Sequence, residues 1–426
     1  MITNASFFQA CSFLLLFTLA GCAFDDQGSR GQEDHGVPST DGAQLAIQAA
    51  PVVTDTTKKI QLGLLLDTSN SMDGLIEQAK GQLWNIVNKL SDARCGEMRP
   101  TVEVALYEYG NDGLSARGNY IRRVLAFTTN MDEVSKELFA LRTNGGNEYC
   151  GAVIGSSLDG LEWGDSDADM KLLFIAGNEE FTQGPVNFRS ACERAKQKGI
   201  VVNTIFCGDH QEGINTAWSQ GALAAAGSYF SIDQNSVTQQ IASPYDGELA
   251  ELEHEWDQAN VYYGKQGSYM SANKEEQDAN AISSGISTAS KRREYKVKNS
   301  ELNGSWDLTE VESSQLDRVL EKTEQDELPE QYRGLDRTQL KGEVLKLQAK
   351  KQALKQRIGV LNAQRETYVA EQTRNAPGAN ELENSILGAI ERSAKAKGMK
   401  FVSPPAPVAP DGKTKAVLQD QAKEQG

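Results

Sequence analysis

The chain has 426 residues and a formal net charge of -16, with 43 Lys and Arg against 59 Asp and Glu. A chain of this length holds two or three domains at a typical size of about 150 residues. Its acidic balance excludes a nucleic-acid or anionic-lipid surface as the main partner, because phosphate binding requires a cationic surface.

The N-terminus has the pattern of an export signal. Residues 1–21 carry no charged side chain, and their apolar run is too short for a spanning helix, which needs about 20 apolar residues. The run ends in Leu19-Ala20-Gly21-Cys22, which resembles the bacterial lipobox. The resemblance implies that Cys22 is lipidated and anchors the protein in a bacterial cell envelope, facing the periplasm or the cell surface. An ordinary signal peptide, with Cys22 incidental, is the alternative. Residues 22–57 are polar and are predicted to form a disordered tether.

Four further cysteines fit an exported protein. An even number suggests two disulfides, with three possible connectivities. Cys192 lies on a predicted helix and Cys207 ends the next predicted strand, so these two could meet and leave Cys95 to pair with Cys150. A zinc site is the alternative, but no C-x-x-C spacing supports it.

Residues 58–243 alternate between apolar runs and amphipathic segments of helical spacing. Strands are predicted at 60–66, 102–109, 123–128, 171–176, 200–206 and 229–232, and helices at 73–90, 131–141, 151–161, 188–198 and 214–226. This alternation predicts an α/β domain with a doubly wound, mostly parallel sheet covered on both faces. In such sheets, ligands bind beyond the carboxyl ends of the strands.

The first predicted strand runs directly into a loop with the pattern D-x-S-x-S. Asp67, Ser69 and Ser71 place one carboxylate and two hydroxyls at a strand end, before a helix. Such oxygens are hard ligands, suited to Mg²⁺, Mn²⁺ or Ca²⁺. The alternative is that they form a turn and a helix N-cap without any metal.

With this loop in place, residues 58–243 resemble the von Willebrand factor A domain and its metal-ion-dependent adhesion site. The resemblance implies that both serines bind the metal, that Asp67 holds it through water, and that an acidic side chain of a partner takes the open position. It also implies a ligand from the Gly145-Gly146 loop, where Asn147 stands in place of the family's Thr. The family's Asp after the fourth strand is replaced by Gly177, for which Asn178 or Glu179 could substitute.

The C-terminal region is predicted to be helical, with its charges in blocks. Residues 244–335 are polar; within them, 301–330 hold ten acidic and two basic residues, whereas 336–366 hold eight basic and three acidic ones. Within 336–376, heptad positions are filled by Leu340, Val344, Leu347, Lys351, Leu354, Ile358, Leu361 and Arg365. This predicts a coiled-coil-like helix. It could pair with the acidic segment as an antiparallel hairpin, form a homodimer, or pack on the α/β domain. Residues 377–426 are predicted to form a short helix and a Pro-rich disordered tail.

No nucleophile elbow, phosphate loop or zinc-protease motif is present in the sequence. We therefore expect no enzyme, but a membrane-anchored adhesion or assembly module whose metal engages an acidic group of a protein partner. The alternative is a metal-free envelope scaffold that assembles through its C-terminal coiled coil. No nucleic-acid partner is expected.

Overall fold

The computed structural model describes residues 58–232, 240–373 and 381–402. The expected signal peptide, Cys22, the tether and the Pro-rich tail lie outside the described residues. The strands are β1 (Lys59–Asp67), β2 (Ala93–Arg94), β3 (Thr101–Tyr109), β4 (Ile121–Thr128), β5 (Met170–Gly177), β6 (Ile200–Cys207), β7 (Tyr229–Ile232) and β8 (Lys400–Phe401). The helices are α1 (Asp73–Ser91), α2 (Met131–Ala140), α3 (Cys150–Gly160), α4 (Phe188–Gln197), α5 (His210–Asn215), α6 (Trp218–Ala224), α7 (Asp246–Gln258), α8 (Gly267–Ser283), α9 (Ile286–Lys298), α10 (Ser313–Lys322), α11 (Arg337–Thr373) and α12 (Glu381–Ala396).

Six strands form one sheet in the order β4-β3-β1-β5-β6-β7. Neighbouring strands are parallel, except that β4 runs antiparallel to β3 at one edge. This confirms the predicted doubly wound α/β fold. The chain moves from the central β1 out to β3 and β4, and then returns to β5 on the other side of β1. At such a reversal point the loops after the two central strands leave towards opposite faces and open a crevice.

Helices cover both faces of the sheet, which is why the central strands are apolar along most of their length. Helices α1, α2 and α12 bury one face, and α3, α4 and α6 bury the other. Alternate residues of β1 serve the two cores, with Leu62 and Leu66 on the first face and Leu65 on the second. The helix predicted over 214–226 is wrong: the chain forms α5 and α6 instead, separated at Ala217, whose φ of 72° is left-handed.

Helix α12 joins the core of the sheet although it lies far from the strands in sequence. Ile386, Ala389 and Ile390 are buried in the same core as α1. Shortly afterwards, β8 pairs antiparallel with β2. The short helix predicted beyond residue 377 therefore closes one face of the α/β sheet.

Helix α11 has 37 residues and buries the predicted heptad face within its own chain. Leu340 and Val344 pack with Leu316 and Leu320 of α10, while Ile358 and its neighbours pack with α7 and α9. The acidic segment thus packs against the first part of α11, in the manner of the expected hairpin. The remaining part of the seam is covered by helices that precede the acidic segment.

The two cations of the seam meet carboxylates of the same chain. Lys351 pairs with Asp307 and Glu310, and Arg365 pairs with Asp246 through Nε at 2.8 Å. Both cations and most apolar seam positions are therefore buried within the chain, which favours packing inside one chain over the homodimer that the sequence left open. Among the described residues, no helix combines the length and the apolar character needed to cross a bilayer.

A buried arginine joins the helical extension to the α/β sheet. Arg292 of α9 is 2% exposed, and it pairs with Asp132 at the start of α2 and with Asp278 of α8. Its guanidinium also lies 4.5 Å from the centre of the Trp84 ring on α1. The helical extension therefore packs on α1 and α2 of the α/β domain through buried ion pairs and a contact between a guanidinium and a ring.

The two expected disulfides are corrected by the structure, in which all four described cysteines are free. Cys192 lies in the core under α3 and α4, whereas Cys207 lies in the core under α1. Cys150 and Cys95 are likewise on opposite faces. The sheet therefore separates the members of each proposed pair.

Candidate metal centre

The reversal point of the sheet holds the Asp67 loop. Asp67 ends β1 and is fully buried, and its Oδ1 accepts a hydrogen bond from the backbone N–H of Ser69 at 2.7 Å. The hydroxyl oxygens of Ser69 and Ser71 are 3.2 Å apart. Across the crevice, Asn178 follows β5 and donates from Nδ2 to Ser71 Oγ at 3.0 Å. The structure thus brings three of the four predicted oxygen ligands together, and Asn178, one of the two residues expected to substitute at Gly177, lies beside them.

The hydroxyls of this loop do not act as helix caps. Ser69 precedes the short 3-10 turn Asn70–Met72 but makes no side-chain capping hydrogen bond to it. The residue before α1 is Met72, and it makes no such bond either. The helix-cap part of the metal-free alternative therefore finds no support, whereas its turn part is present, because Asp67 Oδ1 accepts the backbone N–H of Ser69 two residues further on.

The loop before α3 turns Glu148 towards Asp67, in the place expected for Asn147. The Asn147 side chain is exposed, whereas Glu148 is 3% exposed. The Glu148 carboxyl interacts with the Asp67 carboxyl and the Ser69 hydroxyl. Glu148, and not Asn147, thus lies against Asp67 and Ser69, while the ligand role of Asn147 stays a prediction. A glutamate is rarely buried unless it is paired or binds a metal. The sequence motif did not point to Glu148, because a motif carries no information about which side chains are buried.

The end of β5 supplies no side-chain ligand at Gly177. A Cβ atom there would lie 2.5 Å from the hydroxyl oxygen of Tyr109. That hydroxyl is fixed, since it donates to the carbonyl oxygen of Ala176 at 3.0 Å. Of the two residues considered as substitutes, Asn178 reaches the site and Glu179 is exposed.

The electrostatics of the two carboxyls favour a cation. Burial raises the pKa of Asp67 well above its ordinary value, and the neighbouring Glu148 raises it further. Burial also raises the pKa of Glu148. In addition, Asp67 Oδ2 is buried without a hydrogen-bond donor. Two adjacent buried carboxyls resist joint ionisation, and an orphaned oxygen is costly, so a bound divalent cation would relieve both conditions.

The donor set fits a hard cation. It consists of two carboxyls, two hydroxyls and one amide, which are oxygen ligands typical of Mg²⁺, Mn²⁺ and Ca²⁺. The thiols of Cys150 and Cys207 lie near Asp67, but burial raises the pKa of each well above its ordinary value.

A second acidic group, in the helical extension, is occupied by the chain's own cation. Glu253, Asp257 and Asp278 lie close enough to share a metal ion. However, Lys296 Nζ lies 2.7 Å, 2.9 Å and 2.8 Å from their respective oxygens. The ammonium group thus holds the position that a metal would take.

No protein-family model and no curated protein matches the chain. Among solved structures, the conserved hypothetical protein BatB from Bacteroides thetaiotaomicron is 16% identical, with a TM-score of 0.31, over 41% of this chain and 90% of that one. The VWA domain of SpRpn10 is 16% identical, with a TM-score of 0.30, over 41% and 88%. Proximal thread matrix protein 1 from the mussel byssus, with a zinc-occupied MIDAS motif, is 14% identical, with a TM-score of 0.31, over 42% and 43%. At these sequence identities and TM-scores, the similarity does not identify a ligand or a partner of this chain.

Proposed function

We propose that this protein is a non-enzymatic, lipid-anchored binding module of a bacterial cell envelope. Its von Willebrand factor A-like domain would hold a divalent cation that engages an acidic group of a protein partner. The observation that carries the proposal is the fully buried Asp67, whose Oδ2 has no donor, beside two hydroxyls at the carboxyl edge of a parallel sheet. When bound there, the cation supplies an electrophilic centre for one carboxylate.

The chain's own residues would orient that contact. Ser69 is buried and Ser71 is exposed, so the loop presents one hydroxyl to the interior and one to solvent. A partner's side chain would therefore approach beside Ser71. Asn178, which binds Ser71, would fix the hydroxyl on that open side.

The anchoring part of the proposal rests on the Cys22 pattern. The intact mass of the protein from bacterial membranes should exceed that of the processed chain by the mass of its acyl groups, and Cys22→Ser should remove the excess. An unmodified Cys22, or cleavage elsewhere, would contradict lipidation.

The metal-dependent contact can be tested by capture from detergent-solubilised envelopes. Wild-type protein and Asp67→Ala are compared in Mg²⁺ and in EDTA. We expect a partner that requires both Mg²⁺ and Asp67, and that is displaced by excess acetate but not by acetamide. A partner whose capture is unaffected by EDTA and by Asp67→Ala would contradict the proposal. The metal-free scaffold is less well supported, because the seam that would assemble it is buried within the chain.

A further inference from the structure

Glu148 is an unusual residue to find buried in a loop at the edge of a sheet. The loop joins α2 to α3, and its neighbour Asn147 is exposed. Glu148 is nevertheless almost fully enclosed, against Asp67 and Ser69. Glu148 is hydrogen-bonded to Ser69 and to the backbone of Glu179, but among the described residues no Lys or Arg pairs with it or with Asp67, whose Oδ2 has no donor. The two buried carboxyls therefore lack the counter-charge that normally accompanies such burial.

Two glycines build the space that Glu148 fills. At Gly110, whose φ is 79°, a Cβ atom would lie 2.6 Å from Asp67 Oδ1 and 2.8 Å from Glu148 Cγ. At Gly146, a Cβ atom would collide with the carbonyl oxygen of Gly110. The loop before α3 therefore passes directly over the end of β3, and this close approach carries Glu148 to Asp67.

Two positions beside the end of β5 do not supply the second carboxylate of the site. Position 177 is closed to a side chain by the Tyr109 hydroxyl. Glu179 is exposed, and its carboxylate accepts a hydrogen bond from Gln183 at 3.0 Å. Glu148 therefore brings the negative charge that balances a divalent cation together with Asp67.

We infer that Glu148 is a ligand of the divalent cation, and that its carboxylate lets the free protein bind the metal before any partner arrives. This inference rests on the proposed metal site. With two carboxylates, a divalent cation is neutralised by the chain itself, which allows it to remain in a buried position. A partner's group would then add to a loaded site and could leave without removing the metal.

Isothermal titration of MgCl₂ and MnCl₂ into the full chain in detergent tests the inference. Three variants are compared with the wild type: Glu148→Gln, Asn147→Ala and Glu179→Gln. The first and third make the same chemical change, one at the buried carboxyl and one at an exposed neighbour. We expect Glu148→Gln to weaken metal binding by on the order of 100-fold or more, because loss of outer partners of a metal site alone costs about 10–100-fold. The other two variants should stay within about threefold of the wild type.

Thermal unfolding in EDTA separates a ligand from a structural residue. The amide introduced by Glu148→Gln can donate to the Asp67 carboxyl, whose Oδ2 has no donor, so this variant should unfold at the same or a higher temperature than the wild type. Failure of Glu148→Gln to fold, or a lower unfolding temperature in EDTA, would overturn the inference. Undiminished affinity in Glu148→Gln, or a loss in Asn147→Ala, would also overturn it while leaving the proposed function intact. If the wild type itself binds neither metal, the proposed function fails and the inference fails with it.

Discussion

The buried lysine of α11 gives a stability prediction whose sign depends on how the heptad seam is used. The Lys351 side chain is 5% exposed, and its Nζ lies 2.8 Å from Asn260 Oδ1, 2.9 Å from Thr309 Oγ1 and 3.2 Å from Asp307 Oδ2. It also pairs with Glu310. We expect Lys351→Leu to lower the free energy of unfolding by about 3–5 kcal/mol, because the substitution leaves buried carboxylates without their counter-charge.

An intermolecular coiled coil would respond in the opposite direction, because an apolar residue at a seam position stabilises such a pair. Urea unfolding followed by circular dichroism, at two protein concentrations, distinguishes the two. Lys350→Leu is the matched control: its side chain is 43% exposed, and it forms a single ion pair with Glu255 at 3.2 Å. We expect the control to change stability by about 0.5 kcal/mol or less.

Either of two results would contradict the packing of the α11 seam against helices of its own chain. One is an equal effect of the Lys351 and Lys350 substitutions. The other is a gain in stability for Lys351→Leu, with an unfolding midpoint that rises with protein concentration.

Three further predictions concern the acidic cluster, the strand end and the thiols. Burial raises the pKa of Asp257, but the ammonium groups of Lys274 and Lys296 outweigh it and lower the pKa to about 2. Stability from this group is therefore present above about pH 4 and lost as the pH falls towards 2; urea unfolding should lose about 2 kcal/mol more over that range in the wild type than in Asp257→Asn. Gly177→Ala should cost about 1–3 kcal/mol, and less when the Tyr109 hydroxyl is removed in Tyr109→Phe; strictly additive costs would contradict the contact. Finally, dithiothreitol should leave the unfolding temperature unchanged, whereas a drop on reduction would show that a disulfide forms after all.

The α/β fold follows from the sequence because its signals are local. Each central strand is an apolar run, and the helices between them repeat at helical spacing, so the parallel, doubly covered sheet could be predicted. The position of α12 could not. Its apolar residues Ile386 and Ile390 show that one face is buried, but nothing local says that the face belongs against α1.

The heptad pattern of α11 was informative about burial but not about the partner. A seam of Leu and Ile packs equally well against another copy or against helices of the same chain. The packing partner is determined by Asp307, Glu310 and Asp246. These residues pair with the two seam cations but are distant from them in sequence, so the heptad pattern could not predict the pairing.

Part of the candidate site could be predicted because its signals, like those of the strands, are local in sequence. Asp67, Ser69 and Ser71 are close in sequence and follow a strand, so their convergence is local. Glu148 reaches them because Gly146 lets one loop pass over the backbone of Gly110, and no spacing rule encodes that approach.

A divalent cation bound between Asp67, the two serine hydroxyls and Glu148 would scatter strongly enough to be located directly. The most direct measurement is an anomalous difference map from crystals of the protein grown with Mn²⁺, recorded at the manganese edge. We expect a single strong peak within about 2–2.5 Å of oxygen atoms from this set, which is the bonding range of hard divalent cations. A map with no anomalous peak there, from crystals in which the loop is well ordered, would contradict the proposed metal site.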